Sequence, residues 1–339
     1  MLPFISDILS HHSLSIVGLE KNTGKTECLK YVLAHLPVEQ KRVAVTSIGI
    51  DGETTDQVTR TQKPEIVLRS GMYFGTSEAH YRQRRLVSEL IDVSDEFTSL
   101  GRVVTARTVI DGKILLSGPA SSAGLKRWIA STRRFGIDLA IVDGALSRLS
   151  SASPAVSESM ILATGAAYST RISTLVQKTA HVVNLINLPL ASAEHIALFD
   201  PLEKGIYYVD ANGTLHDLKA HTSLASDIHL DGVQHCTALY VAGALVGGLL
   251  EKIRSNKQLR DAEVVVRDFT RVFVTPQQLQ LFTRSGGRLS VLQRSKLIAV
   301  TVNPTAPGGV VLDSRQLCDT LGHAIGLPVY DLLKNDPCN

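Results

Sequence analysis

The sequence predicts an α/β fold with a mostly parallel sheet. Short apolar runs typical of buried strands alternate with stretches of helical spacing along the chain, and this alternation favours parallel strands joined by helices. A glycine-containing turn joins the first predicted strand to the first predicted helix. The chain of 339 residues is long enough for two domains. We place them at residues 1–200 and 201–339, the second being an α/β region that packs on the first or continues it.

The first predicted domain contains most of the clear elements. Apolar runs predict strands at 13–18, 42–48, 139–142 and 160–163, and helical spacing predicts helices at 24–36, 122–134 and 170–185. A charged stretch, 77–93, is predicted to be an amphipathic helix, and residues 49–64 and 147–159 are predicted to be loops. Asp111-Gly112 lies between two alternating runs and predicts a hairpin turn.

The second predicted domain repeats the alternation. Asn212-Gly213 predicts a hairpin between strands at 206–209 and 214–218. Further strands are expected at 263–266 and 297–302. Helices are expected at 237–254, 277–283 and 314–325.

Composition and charge exclude several classes of protein. A hydrophobic content of 44% with 20% charged residues argues against disorder. The 35 basic and 32 acidic residues nearly balance, so no nucleic-acid partner is expected. The longest nearly apolar run, 239–250, is too short for a membrane span of about 20 residues. The start of the chain lacks an export signal and the four cysteines are widely spaced, so we expect a cytoplasmic protein with reduced thiols.

The strongest chemical signal is the segment GLEKNTGKT, residues 18–26. It follows a strand and opens a helix, the setting in which backbone N–H groups and a helix N-terminus bind phosphate. Lys25 would reach the terminal phosphates, and the Thr26 hydroxyl would coordinate Mg²⁺. The spacing is GxxxxxGKT, one residue longer than the common GxxxxGK[ST] pattern. The residues expected to bind nucleotide are Gly18, Asn22, Thr23, Gly24, Lys25 and Thr26.

A carboxylate partner for the metal is expected at the end of the strand LAIVD. Asp143 ends this apolar run, and the carboxyl ends of parallel strands lie at one edge of the sheet, beside the phosphate loop. Asp143 is therefore predicted to hold Mg²⁺ and to be catalytic together with Lys25. Asp51 and Glu53 are further metal candidates, and a role as plain loop residues stays open for both. Together these features predict a three-layer P-loop NTPase.

Other residues keep two interpretations or favour the simpler one. Gly165 either lets backbone approach a ligand or serves as a turn glycine. Gly118-Pro119 marks a turn into a helix, with Ser121 or Ser122 as its N-cap. Residues 256–259, NKQL, lack the aspartate of a guanine-reading NKxD segment, which favours ATP over GTP.

Several segments together resemble one known family, the P-loop component of the lysine 5,6-aminomutase reactivating system. They are GLEKNTGKTECLKYVL, TSIGIDGE, LLSGPASSAGLKRW, IVDGALSR, ILATGAAYS and AVTVNPTAPGG. The resemblance implies an ATP- and Mg²⁺-dependent protein that helps to reactivate an adenosylcobalamin-dependent aminomutase, with a MutS-like ATPase as second partner. The loop spacing alone resembles that of dethiobiotin synthetase. The alternatives are therefore a small-molecule ATP-dependent ligase or kinase of that type, and a nucleotide-binding scaffold.

Overall fold

The computed structural model describes residues 4–48, 65–145, 153, 156–220, 228, 230, 232, 233 and 235–334. The chain forms two compact units, residues 1–180 with 295–339, and residues 181–294. The sequence-based division at residue 200 differs from this one because the chain returns to the first unit. Two strands near the C-terminus pair into the sheet that the N-terminal strands form, and nothing in a linear sequence reports such a return.

The first unit is built on one large sheet with helices. Its strands are β1 (Ser13–Gly18), β2 (Val43–Ser47), β3 (Ile66–Leu68), β4 (Tyr73–Ser77), β5 (Arg85–Thr98), β6 (Gly101–Ile114), β7 (Leu139–Ala145), β8 (Ser159–Gly165), β16 (Lys296–Asn303) and β17 (Val329–Asp331). Its helices are α1 (Phe4–Ile8), α2 (Lys25–His35), α3 (Glu78–Arg82), α4 (Ser122–Thr132), the first half of α5 (Ile172–Ile186) and α9 (Ser314–Ile325).

The large sheet is mostly parallel, with β1 near its middle. The strand order is β17-β16-β8-β1-β7-β2-β4-β6-β3, and β5 pairs with β6. Every pairing from β17 to β4 is parallel, whereas β6 is antiparallel to β3, β4 and β5. The α/β class and the parallel sheet predicted from the sequence are confirmed. Most of the carboxyl strand ends, including that of β1, therefore lie at one edge.

Both faces of this sheet are covered by apolar packing. Alternate residues of β7 belong to different cores: Leu139 and Ile141 pack with the inner face of α2, while Ala140 and Val142 pack with α4 around Trp128. Side chains along a strand alternate between its two faces. Between residues 139 and 143 of β7, odd-numbered residues therefore face α2, and even-numbered residues face α4.

The second unit has a smaller mixed sheet. Its strands are β9 (Ile206–Asp210), β10 (Leu215–Asp217), β11 (Cys236–Val241), β12 (Leu245–Val246), β13 (Glu263–Val266), β14 (Val272–Phe273) and β15 (Arg288–Val291), and its further helices are α6 (Ala193–Phe199), α7 (Gly247–Ser255) and α8 (Pro276–Arg284). The order of the main sheet is β10-β9-β11-β13-β15. β9 and β10 are antiparallel, which confirms the hairpin predicted at Asn212-Gly213.

The helix predicted over 77–93 is wrong beyond its first turn. Only α3 is helical, and β5 follows from Arg85. Burial along the first part of β5 alternates strictly between exposed and partly buried residues, a period of two that favours a strand. Val87 and Leu90 lie on exposed positions, so apolar residues on both faces also satisfied the helical spacing.

The hairpin predicted at Asp111-Gly112 is also wrong. β6 runs through both residues without a turn, and the hairpin with β5 turns at residues 99–100 instead. A Cβ on Gly112 would lie 2.1 Å from the backbone oxygen of Arg85. The glycine therefore serves the close approach of two strands rather than a turn.

The helix predicted over 237–254 is a strand followed by a shorter helix. β11 occupies the first part, and α7 begins only at Gly247. Thr237, Tyr240 and Val241 are β-branched or aromatic, which favours the strand. In the described part of the chain, no helix has both the length and the apolar character needed to cross a membrane.

Candidate functional site

The loop between β1 and α2 has the backbone shape of an anion-binding turn. Asn22 has φ 62° and Gly24 has φ 91°, while Thr23 between them has no positive φ. Such alternation turns successive N–H groups to one side of the chain and forms a concave anion site, or nest. Gly24 is also the N-cap of α2, so the positive end of that helix adds to the same place.

Gly18 lies close against the folded-back loop. A Cβ on Gly18 would lie 2.8 Å from the Thr23 hydroxyl oxygen and 3.3 Å from the backbone oxygen of Glu20, so a larger residue there would force the loop to shift. Thr23 in turn donates through Oγ1 to the backbone oxygen of Glu20 at 2.8 Å. The backbone N–H of Leu19 donates to Ala163 on β8 at 2.9 Å, which fixes the start of the loop to the sheet.

Lys25 and Asp143, the two predicted catalytic residues, meet at this loop. The Lys25 Nζ lies 3.0 Å from the Asp143 Oδ1, with the side chains 26% and 17% exposed. Asp143 has the same parity on β7 as Leu139 and Ile141, so its side chain faces α2, where Lys25 is the first residue. The structure thus brings a cation and a carboxylate together beside the nest.

The predicted metal ligands divide into two groups. Thr26 lies in the first turn of α2, next to Lys25, and Asp143 is adjacent through the ion pair. Asp51 and Glu53 lie outside the described residues. A hydroxyl and a carboxylate are both oxygen ligands of the kind that Mg²⁺ takes in combination with phosphates and water.

The charge of Asp143 also affects the pKa of a buried thiol, Cys28. Burial raises the pKa of the Cys28 thiol to about 12, a hydrogen bond with Thr301 lowers it, and the charge of Asp143 raises it further. Cys28, Cys236 and Cys318 are buried free thiols. Cys28 is therefore a protonated core residue of α2 at neutral pH.

Two residues of the site region were missed by sequence reasoning. Asn303, the last residue of β16, donates through Nδ2 to the backbone oxygen of Asn22 at 3.0 Å. Tyr168 lies in the turn after β8, and burial raises its pKa, with a smaller contribution from the negative charge of Glu20 in the loop. Asn303 ends β16 and Tyr168 follows β8, the two strands that come next to β1 on one side of the sheet, and the linear sequence does not report this strand order.

Gly165 has a packing role that neither interpretation named. A Cβ there would lie 2.1 Å from the backbone oxygen of Asn303, an oxygen that accepts the N–H of Ala166 at 2.8 Å. Gly165 therefore permits the close contact of β8 with β16. This contact holds Asn303 beside the loop.

Gly165→Ala is expected to destabilise the first unit by about 2 kcal/mol or more, because the obstructing atom is backbone and cannot rotate away. Thermal unfolding followed by calorimetry measures the effect. Gly308→Ala is the matched control, since a Cβ at Gly308 meets nothing within 4 Å. Equal melting temperatures for the two variants would contradict the packing explanation.

A buried polar cluster lies at the end of β4, near the turn at Gly118. The Ser117 hydroxyl lies 2.7 Å from the His80 Nδ1 and 2.6 Å from the Ser77 hydroxyl. Gly118 donates its N–H to the backbone oxygen of Ser47 at 2.7 Å. Ser121 is the N-cap of α4 and accepts from the Gly124 N–H at 3.0 Å, which confirms the N-cap interpretation and selects Ser121.

A groove of about 540 Å³ lies beyond this turn, between the β5–β6 hairpin and α4. Asp92, Asp95 and Glu96 line one side, and Arg127 and Arg134 line the other. The Arg127 guanidinium lies 2.9 Å from the Glu96 carboxylate. The groove therefore presents both signs of charge and has the volume of a small-molecule site.

The NKQL segment belongs to the second unit and has a structural role there. Asn256 is the C-cap of α7, and its side-chain amide donates to the backbone oxygen of Leu230 at 3.1 Å. The segment is therefore explained by helix capping and gives no sign of a base-binding role.

Comparison of the chain with protein-family models, with curated proteins and with solved structures found no match. The loop, the Lys25–Asp143 ion pair and the groove beside α4 are therefore the structural features from which a function can be inferred.

Proposed function

We propose that the chain is a P-loop NTPase that binds and hydrolyses MgATP at the loop of residues 18–26. The observation that carries the proposal is the Lys25–Asp143 ion pair at 3.0 Å, set beside a nest that leads into α2. A phosphate chain needs N–H donors, a lysine and a metal ligand in this arrangement. The three-layer form of the fold is supported by cores on both faces of the parallel sheet.

The chemistry follows from what each residue can bind. In the structure, Lys25 and Asp143 neutralise each other. With MgATP, Lys25 would hold the terminal phosphates, the backbone N–H groups would bind their oxygens, and Thr26 with Asp143 would hold Mg²⁺ directly or through water. The ion pair would therefore be replaced by two contacts between opposite charges, one from Lys25 to phosphate and one from Asp143 to Mg²⁺.

The proposed partners rest on the resemblance of six sequence segments. We propose that ATP hydrolysis serves the reactivation of an adenosylcobalamin-dependent lysine 5,6-aminomutase, together with a MutS-like ATPase. A nucleotide drives such a process only if the ATP and ADP forms differ in their affinity for the partner. In the proposed site such a difference would come from the terminal phosphate, which ATP has, ADP lacks and Lys25 would hold.

The test is to inactivate the aminomutase by turnover and then add this protein, its companion, Mg²⁺, ATP and fresh adenosylcobalamin. Activity should return with ATP and should not return with a non-hydrolysable analogue. Full recovery without ATP, or no recovery with every component present, would reject the reactivation proposal while leaving nucleotide binding to be judged separately.

A second candidate is the ATP-dependent ligase or kinase that acts on a small molecule. The groove between the β5–β6 hairpin and α4 supports it, because the groove has the volume of a small-molecule site and is lined by both acidic and basic side chains. A zwitterionic or carboxylate substrate would suit its two signs of charge.

ATP turnover that depends on an added carboxylate and not on the aminomutase would favour this function. Nucleotide binding without turnover in any condition would favour the scaffold.

A further inference from the structure

Asn303 reaches the phosphate loop from far along the chain. It ends β16, which is separated from β1 in the sheet by β8 alone. Its Nδ2 donates to the Asn22 backbone oxygen at 3.0 Å, and its Oδ1 accepts the Thr305 N–H at 3.1 Å. In the opposite orientation of this amide, Oδ1 would face the Asn22 oxygen and Nδ2 would face the Thr305 N–H, and neither pair can form a hydrogen bond. The contacts therefore define the orientation.

The bond to Asn22 fixes one peptide plane of the loop. In a trans peptide the C=O and the following N–H point in opposite directions. Because the Asn22 oxygen is held towards Asn303, the Thr23 N–H is directed away from β16. Thr23 is the central residue between the two positive-φ positions, Asn22 and Gly24, and its N–H belongs to the nest.

This peptide has a restraint from outside the loop. Rotation of the peptide between residues 22 and 23 changes ψ of Asn22 and φ of Thr23, and the hydrogen bond from Asn303 opposes that rotation. The Thr23–Glu20 hydrogen bond lies within the loop and moves with it. Asn303 is instead anchored to the sheet, where its backbone oxygen accepts the Ala166 N–H at 2.8 Å.

We infer that Asn303 is a positioning residue for phosphate binding, which holds the Asn22–Thr23 peptide with its N–H turned into the nest. The ligand class is the phosphate chain of a nucleoside di- or triphosphate, and the inference rests on the proposed function of the loop. Asn303 acts through the peptide and need not touch the nucleotide. The packing of Gly165 and Gly24 against Asn303 keeps it in place for this role.

The test measures MgADP and MgATP affinity by titration calorimetry for Asn303→Ala, which keeps the Cβ that packs on Gly24. We expect both dissociation constants to rise five- to tenfold, with little change in melting temperature. Thr305→Val is the matched control, because it changes the same turn but retains the backbone N–H that Asn303 accepts. If Asn303→Ala does not fold, Asn303→Ser retains a hydroxyl acceptor near Thr305, is too short to reach Asn22, and should show the same loss.

A double-mutant cycle with Asn22→Gly separates positioning from a general structural effect. Glycine adopts the φ of Asn22 without strain, so the single variant keeps the loop conformation while Asn303 holds the carbonyl, and its own loss of affinity forms one side of the cycle. In the double variant the peptide is free to rotate, and the loss should exceed the product of the single losses by threefold or more. Independent effects, or an Asn303→Ala protein with unchanged affinity, would overturn the inference. Failure of the wild-type protein to bind either nucleotide would overturn the proposed function instead.

Discussion

Replacing Lys25 with alanine is expected to weaken MgATP binding or turnover at least tenfold, a loss of about 1.4 kcal/mol or more. Among the described residues, the Lys25 ammonium group is the cation that pairs with Asp143 beside the loop. Its removal takes away the charge proposed to hold the terminal phosphates. Titration calorimetry and phosphate release measure the two quantities on the same preparation.

Lys30→Ala is the matched control for this prediction. Lys30 lies on the same helix and forms an ion pair of similar length, 2.8 Å to Glu27, with both side chains about half exposed. An exposed pair of this kind contributes little to stability, so the variant should keep wild-type affinity. A folded Lys25→Ala protein with unchanged affinity and turnover would refute the assignment of the loop.

Asp143→Asn is expected to abolish most Mg²⁺-dependent hydrolysis while leaving the fold intact. The amide keeps the size of the side chain and removes the charge that would hold the metal. The structure adds a second expectation, because Lys25 would lose its ionic partner and become available to phosphate. In EDTA, ATP affinity should therefore stay equal to that of wild type or exceed it, whereas the gain in affinity on adding Mg²⁺ should be lost.

The control for Asp143 lies at the other end of the same strand. Asp138 precedes β7 and accepts the backbone N–H of Arg42 at 2.8 Å, far from the carboxyl edge. Asp138→Asn should leave both hydrolysis and its dependence on Mg²⁺ unchanged. Persistence of hydrolysis in Asp143→Asn together with a large fall in melting temperature would show that Asp143 serves the fold.

The sequence was most informative where a function depends on residues that are close along the chain. The strand before Gly18 and the helix after Gly24 are signalled by apolar spacing over short windows, and the observed β1 and α2 confirm both. Their conformations depend mainly on local backbone preferences and on burial of one helix face. The predicted pairing of the loop with Asp143 needed only the rule that parallel strands end at one edge.

Long-range neighbours could not be predicted in the same way. Asn303 and Tyr168 reach the loop region only because β16 and β8 stand on the same side of β1 in the sheet, and strand order depends on packing across the whole sheet. The sequence predicts a helix where β5 lies, because Val87 and Leu90 are apolar although they are exposed. Apolar residues on both faces of the strand obscure its alternation of apolar and polar positions. Asp111-Gly112 is a pair typical of turns, but it lies inside β6 because Gly112 allows β5 to approach closely.

A crystal structure of the protein grown with Mg²⁺ and a non-hydrolysable ATP analogue tests the central claim most directly. The account predicts the terminal phosphates within hydrogen-bond distance of the Lys25 Nζ and of the loop N–H groups, with Mg²⁺ beside Thr26 and Asp143. It also predicts that the Lys25 Nζ and the Asp143 Oδ1, which lie 3.0 Å apart in the structure, separate in the complex. A nucleotide bound elsewhere while this ion pair stays closed would contradict the account.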